Sequence, residues 1–352
     1  MFRSNRIVHV LDDLAMGGVT RALRNFEHPK LASLGAHETV DIRSEVVRAS
    51  SPNDIAVLHF TANWKKLAWL LDLRLRGGFS KIMLIEHTYT EGFETNHVAK
   101  PNRFRSMLKL AYGLVDTVVA VSNAQRDWIL KHKLTRPEKV VTIPQSRDCS
   151  NLLTLSPAKR EGGPLRLRAF GRFHKQKGFD LLIQAMRRIP ADLATLEIAG
   201  TGPDEAQLRA VSEDLDHVKI CDPFTSPAAF LSGADVIAIP SRWEAFGLVG
   251  TEARAAGRPI LAARVDGLVD QMEASAFPHA PNSVASIVRA IYRAARATDI
   301  DVRGLAARAR AAGECDQMID GWRNLFQSSI EESIKAKGAR HISKTASACE
   351  VL

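Results

Sequence analysis

The chain has 352 residues, 45% of them hydrophobic and 25% charged, and its 48 Lys and Arg against 39 Asp and Glu give a formal net charge of +9. Those values are ordinary for a soluble globular protein, and the length predicts two domains, each large enough for its own core. Four cysteines at positions 149, 221, 315 and 349 have neither disulfide nor metal spacing, no apolar stretch reaches membrane-spanning length, and the run 7–11 is too short for a signal peptide. A reducing cytoplasm is therefore the expected compartment.

In chain order, residues 7–11 read as a first strand, and Gly17-Gly18-Val19 as the loop that enters the first helix. Residues 54–60 and 81–87 are apolar runs ending in His59 and His87, the pattern of parallel strands with a polar residue at the binding end. Residues 115–122 and 140–144 supply two more strands. Between these runs lie basic segments with apolar faces. Lys65, Lys66, Arg74 and Arg76 alternate with Trp64, Leu67, Trp69, Leu70 and Leu71, and Arg103, Arg105 and Lys109 with Phe104, Met107, Leu108 and Leu110. Residues 1–160 hold 24 basic and 15 acidic side chains, so the whole charge excess lies in this half. Part of each apolar face is expected to pack on the sheet. The one-sided charge also predicts peripheral contact with an anionic membrane surface. No recognition motif accompanies the charge, so nucleic acid is not an expected partner.

The segment around 151–163 is polar, with Gly162-Gly163 ahead of Pro164, and reads as a linker. Beyond it, the run 165–170 leads into Gly171-Arg172-Phe173-His174-Lys175-Gln176-Lys177-Gly178 and then an amphipathic stretch, 179–186. A strand, a glycine-flanked turn with cations, then a helix is how α/β proteins place charge on phosphate. Arg172 can fork onto two oxygens, and Lys177 acts as a point charge. Next come residues 195–199 and the turn Gly200-Thr201-Gly202-Pro203, whose glycines read as structural. Asp214-Leu215-Asp216 has the form of a metal motif but lies in a charged loop and reads as surface.

The most informative stretch is Pro240-Ser241-Arg242-Trp243-Glu244-Ala245-Phe246-Gly247-Leu248-Val249-Gly250-Thr251-Glu252. It follows the apolar run 234–239 and opens a helix that stops at Gly257, with Arg258-Pro259 beyond. Glu244 falls in the turn and Glu252 within the helix. The small residues between them let backbone N–H groups approach an anion, while the carboxylates accept from hydroxyls. A ligand with both hydroxyls and phosphates, such as a sugar nucleotide, suits that arrangement. Strands alternating with helices along most of the chain predict parallel sheets rather than a sandwich or a bundle.

Together the Gly-Arg…Lys-Gly segment, the Gly-x-Gly-Pro turn and the Pro-Ser-x-x-Glu-x-Phe-Gly-x-x-x-x-Glu-Ala segment, in that order, resemble the family-four retaining glycosyltransferases. The resemblance covers about residues 165–270 strongly and the first half more loosely. It implies a GT-B architecture, two Rossmann-like domains facing a central cleft: an acceptor domain over 1–150, a linker over 151–163, and a nucleotide-sugar domain over 164–316. A helix over 317–336 is then expected to pack back on the first domain, followed by a disordered tail over 337–352. By the same resemblance, Arg172, Lys177, Gly17, Gly18, Gly247 and Leu248 meet the donor diphosphate. Glu244 and Phe246 hold the sugar, Glu252 holds the ribose, and His87 faces the transferred sugar, so that His87 and Glu244 are the catalytic candidates.

No metal or cofactor is implied; the expected partners are a nucleotide sugar and a saccharide or lipid-linked acceptor, on the cytoplasmic face of a bacterial inner membrane. The implied activity is hexosyl transfer with retention in exopolysaccharide or lipopolysaccharide assembly. A nucleotide-sugar 2-epimerase and a non-catalytic sugar-nucleotide-binding subunit are the alternatives. The chain departs from the family pattern at Gln145-Ser146-Arg147-Asp148, where Asn-Gly-x-Asp is usual, at Ala245 in place of a Gly, and at Cys221-Asp222 beside the base. The base is therefore left open.

Overall fold

The computed structural model describes residues 5–12, 23–160 and 162–349, with side chains through residue 335. The Gly17-Gly18 loop lies outside the described residues. Among the described residues, twelve strands form two separate six-stranded sheets. The first contains β1 (Arg6–Leu11), β2 (Ala36–Asp41), β3 (Ile55–Leu58), β4 (Lys81–Glu86), β5 (Thr117–Ala120) and β6 (Val140–Thr142), in the order β2-β1-β3-β4-β5-β6. The second contains β7 (Leu165–Phe170), β8 (Ala194–Ala199), β9 (Val218–Cys221), β10 (Val236–Ile239), β11 (Ile260–Ala263) and β12 (Phe277–His279), ordered β12-β11-β10-β7-β8-β9. Every ladder is parallel, for example Ile7 opposite Ile55 and Leu261 opposite Phe277.

Parallel strands need crossover helices, and these cover both faces of each sheet. Strands β3 (Ile-Ala-Val-Leu), β10 (Val-Ile-Ala-Ile) and β11 (Ile-Leu-Ala-Ala) are consequently buried at every position. Edge strand β2, Ala-His-Glu-Thr-Val-Asp, has one buried residue and lacks the apolar signature, which is why the sequence did not announce it. Helix starts are fixed locally: Thr90 Oγ1 accepts from Phe93 N at 3.0 Å, and Ser122 Oγ from Gln125 N at 3.2 Å.

The helix Glu314–Cys349 leaves the second domain and lies across the first. Met318, Ile319, Trp322 and Phe326 form one buried stripe against Ile7, Phe26, Ile55, Met83, Val119 and Ile143. Full burial of a large apolar side chain is worth about 1.5–3 kcal/mol, so Trp322 and Phe326 alone make this docking substantial. Lys30 to Asp320 at 2.7 Å and Lys81 to Glu332 at 2.8 Å flank the stripe. Where the sequence predicts a disordered tail from 337, the helix instead continues to Cys349. Ala, Lys and Arg in Ala-Lys-Gly-Ala-Arg favour helix, and extending a helix already anchored needs no new nucleus. The chain crosses between domains a first time after β6, and there Ser146 N donates to Met318 Sδ at 3.2 Å while Asn25 Nδ2 donates to Ser146 O at 3.0 Å.

Candidate active site

In the second sheet, β7 lies between β10 and β8, so the crossovers from β7 and β10 leave in opposite directions and open a crevice beyond their carboxyl ends. Open α/β sheets bind ligands at such a switch point. Residues 171–178 follow β7 and residues 240–247 follow β10, which puts the two motifs on either side of this crevice although 67 positions separate Lys177 from Glu244. Their approach is close. Gly178 has φ +67°, and a Cβ there would stand 2.2 Å from Pro240 O, so a side chain cannot be accommodated.

Lys177 Nζ donates to Glu244 Oε2 at 2.6 Å, and Ser241 Oγ donates to the same oxygen at 3.2 Å. Arg172, in the same turn as Lys177, is exposed, with no polar partner among the described residues. Gly247 begins the helix Leu248–Ala255 at φ +96°; a Cβ would lie 2.7 Å from Leu268 Cδ2 and 3.0 Å from Glu244 Cγ. A glycine is required both for the left-handed backbone and for the space. Gln271 supports this turn by donating Nε2 to Phe246 O at 2.7 Å and to Gly247 O at 3.1 Å. The Gly200 and Gly202 turn is structural: Cβ atoms there would meet Gly171 O at 2.0 Å and Phe173 O at 2.3 Å.

Glu252 is buried on the same helix and forms an ion pair with Arg147. That partner comes from the segment 145–148, where the chain departs from the family pattern. In the same segment Gln145 Nε2 donates to His87 Nδ1 at 2.6 Å. His87 reaches the cleft from β4. The carboxylate of Glu86 fixes its turn by accepting from Thr88 N at 3.0 Å, Tyr89 N at 2.9 Å and Tyr112 Oη at 2.7 Å. Burial lowers the His87 pKa to about 4, so the ring is neutral near pH 7. His87, His59, Gln145, Ser146 and Leu248 line one interdomain cavity of about 30 Å³.

The structure thus gathers Lys177, Glu244, Gly247 and Leu248 at the crevice, with Arg172 at its side and His87 across the cleft. Glu252 lies one further turn along the helix. Phe246 packs in the interdomain core, with its carbonyl held by Gln271.

Three features escape the sequence reading. Asp266 sits at φ +41° and accepts from Thr90 Oγ1 at 2.7 Å, Gly92 N at 2.9 Å and Glu244 N at 3.1 Å, joining the two domains beside the site. Burial raises its pKa. Asp270 accepts from Asn123 N at 2.5 Å, at the start of the helix Asn123–Lys131. Arg254, 1% exposed, donates to Glu314 at 2.6 and 2.9 Å and so ties the helix Leu248–Ala255 to the root of the C-terminal helix. Among the described residues no group of three or more His, Cys, Asp or Glu is disposed to hold a metal ion. Asp214 is exposed and paired with Arg187 at 2.6 Å, as a surface residue.

Two Rossmann-like domains with motifs at their facing strand ends define the GT-B class. A similar fold is seen in a glycosyltransferase from Rickettsia africae (TM-score 0.71, 14% identity, covering 94% of this chain and 99% of that one) and in sucrose-phosphate synthase from Thermosynechococcus elongatus (TM-score 0.71, 20% identity, covering 92% and 100%). Anabaena HepE, solved with UDP and glucose, aligns with TM-score 0.68 at 16% identity over 92% of this chain and 99% of that one.

Residues 165–296 match the family described as glycosyl transferases group 1. Curated relatives include a D-inositol 3-phosphate glycosyltransferase of Catenulispora acidiphila, 29% identical over 61% of this chain and 58% of its own length. Another is the lipopolysaccharide core biosynthesis glycosyltransferase LpsD of Rhizobium meliloti, 36% identical over 28% of this chain and 29% of its own length. The matches span between about a quarter and three fifths of such relatives.

Proposed function

We propose that the protein transfers a hexosyl unit from a nucleoside-diphosphate sugar to a hydroxyl of a saccharide or lipid-linked acceptor, with retention of anomeric configuration. One observation supports the reading: an ammonium and a carboxylate meet at the β7/β10 switch point, next to a helix N-terminus and with an exposed guanidinium on the β7 turn. As the glycosyl bond breaks, negative charge grows on the diphosphate. Arg172, Lys177 and the N–H groups after Gly247 stabilise it there more than in the ground state.

Glu244 positions the sugar, Glu252 takes the ribose in exchange for Arg147, and neutral His87 faces the sugar from the acceptor domain. Retention follows if the acceptor attacks from the leaving-group side, with a diphosphate oxygen taking its proton. Charge neutralisation by these side chains leaves no step that calls for a metal ion or a cofactor.

The acceptor domain adds a surface suited to anionic lipid. Leu70 and Leu73 are buried on the sheet, but Trp64 (46%), Leu75 (73%) and Leu110 (55%) remain exposed, with Arg103 stacked 5.6 Å from the Trp64 ring. Among the described residues no helix is long and apolar enough to cross a membrane. Envelope polysaccharide or lipopolysaccharide assembly on the inner face of a bacterial membrane fits this surface and the LpsD likeness.

A thermal-shift panel of nucleotide sugars, followed by transfer assays with anomeric analysis by NMR, tests the reading. Lys177→Ala or Glu252→Ala is expected to abolish transfer, and full activity in either variant rejects the site. Release of an altered free sugar without acceptor would identify the epimerase alternative instead.

A further inference from the structure

Four histidines, each separate from the next in sequence, form a continuous chain through the first domain. His37 Nε2 lies 3.3 Å from Leu31 O, His9 Nε2 lies 2.9 Å from His37 Nδ1, and His59 Nε2 lies 2.9 Å from His9 Nδ1. His87 stacks on His59 with ring centroids 5.7 Å apart. The backbone carbonyl of Leu31 can only accept, so His37 carries its proton on Nε2 and offers Nδ1 as an acceptor. His9 must then donate from Nε2 and accept at Nδ1, and His59 must donate from Nε2.

That sequence leaves His59 Nδ1 as a bare lone pair. The atom is buried and has no partner among the described residues. On His87 the amide of Gln145 occupies Nδ1 as a donor, so the proton sits on Nε2, which is likewise buried and unpartnered. The Ser146 hydroxyl is the third unpartnered polar atom beside the same 30 Å³ cavity. An acceptor and a donor, both desolvated, thus belong to two side chains that line one cavity large enough for a small polar group. Because the chain ends on a carbonyl that cannot be protonated, it fixes tautomers and does not conduct protons.

We propose that His59 is a positioning residue that accepts a hydrogen bond, through Nδ1, from one hydroxyl of the sugar held in the cleft, the same oxygen accepting from His87 Nε2. The inference deepens the transferase reading and rests on it for the identity of the ligand. A hydroxyl is the matching group because it donates once and accepts at the same atom. Carbonyls and ethers leave His59 unpaired, and ammonium groups leave His87 unpaired. His37 and His9 act through His59, by fixing the tautomer that leaves Nδ1 as its acceptor.

Amide substitutions separate the two ring nitrogens. His59→Asn places a polar group near the Nδ1 position and gives up the bond to His9. His59→Gln places its amide near the Nε2 position, keeping a donor for His9 and giving up the cavity acceptor. The expected order is transfer kcat/KM within about three-fold of wild type for H59N and at least ten-fold lower for H59Q, with affinity for UDP and GDP unchanged in both. A purely structural histidine gives the reverse order, with H59Q near wild type and H59N impaired, and that result overturns the proposal.

Imidazole ¹⁵N NMR gives a readout that needs no turnover. His59 is expected as the Nε2–H tautomer at pH 7. Its Nδ1 resonance is expected to shift with UDP-glucose or GDP-mannose but not with UDP or GDP if the hydroxyl belongs to the donor. It shifts only with methyl glycosides added to the nucleotide complex if the hydroxyl belongs to the acceptor. An Nδ1–H tautomer, or no shift with either class while binding is shown calorimetrically, refutes it. Absence of transfer with the tautomer and sugar-dependent shift intact would instead count against the transferase reading alone.

Discussion

Replacing each partner of the Lys177–Glu244 pair separates phosphate binding from sugar binding. At 2.6 Å and an effective dielectric constant near 20, the gross attraction is about 6 kcal/mol, and desolvation of both groups offsets most of it. The net pair is weak enough for a diphosphate to displace the carboxylate. Lys177→Met deletes one charge-assisted hydrogen bond to phosphate, worth about 1.5–3 kcal/mol, so the Kd for free nucleoside diphosphate should rise about 10- to 150-fold. Glu244→Gln removes the competitor instead. Its nucleoside-diphosphate Kd should stay within about three-fold or tighten, while transfer from the intact nucleotide sugar falls. Titration calorimetry with UDP and GDP, beside a transfer assay, distinguishes the two variants. If Glu244→Gln weakens diphosphate binding as much as Lys177→Met does, the carboxylate serves the phosphate site and its assignment to the sugar fails.

The histidine chain makes stability depend on pH. Burial lowers the pKa of His9 to about 3 and of His87 to about 4, and it holds His59 well below the usual histidine value. The folded state therefore binds fewer protons than the unfolded one. Stability is full above about pH 6.5 and falls as pH drops toward 4, by up to about 2 kcal/mol per histidine at pH 5. Urea midpoints at pH 7.5 and 5.0 should show the loss, and equal midpoints would remove the premise.

Glu314→Ala leaves the Arg254 guanidinium buried and uncompensated and should cost about 3–5 kcal/mol, whereas Arg254→Met, which removes the buried charge itself, should cost less in the same thermal melts. Equal losses would mean that the pair acts by packing alone. Gly247→Val adds a left-handed backbone penalty to overlap with Leu268 and Glu244, for about 2–5 kcal/mol and loss of transfer. A fully stable, active variant in denaturation and activity assays would contradict the described turn.

The sheets were legible because parallel strands buried on both faces are written as uninterrupted apolar runs, as at 55–58 and 236–239. β2 was not, since an edge strand needs few buried side chains. The cationic turn after β7 and the Glu-bearing turn after β10 were legible because each is a contiguous run with its own glycine punctuation. That Lys177 would be held by Glu244 was not, as the contact depends on strand order rather than on either run. Long-range polar partners left still less trace. Gln145 meets His87 across 58 positions, and His9 meets His59 across 50. Histidine at the ends of both β3 and β4 hinted at a shared face, but only the three-dimensional arrangement reveals which nitrogen of each is left without a partner. The left-handed Asp266 has no local signature, since its role is to bridge two domains.

Both passages of the chain between domains lie side by side, at Ser146 and Met318. Two adjacent covalent tethers resist sliding or pulling the halves apart, yet they permit rotation about the line that joins them, so the seam works as the spine of a book. The opposite margin, where Asn282 reaches Asn96 at 3.2 Å and Asp266 clasps Thr90 and Gly92, then becomes the fore-edge. Those hydrogen bonds, and not the covalent tethers, are what hold the two halves together on that side.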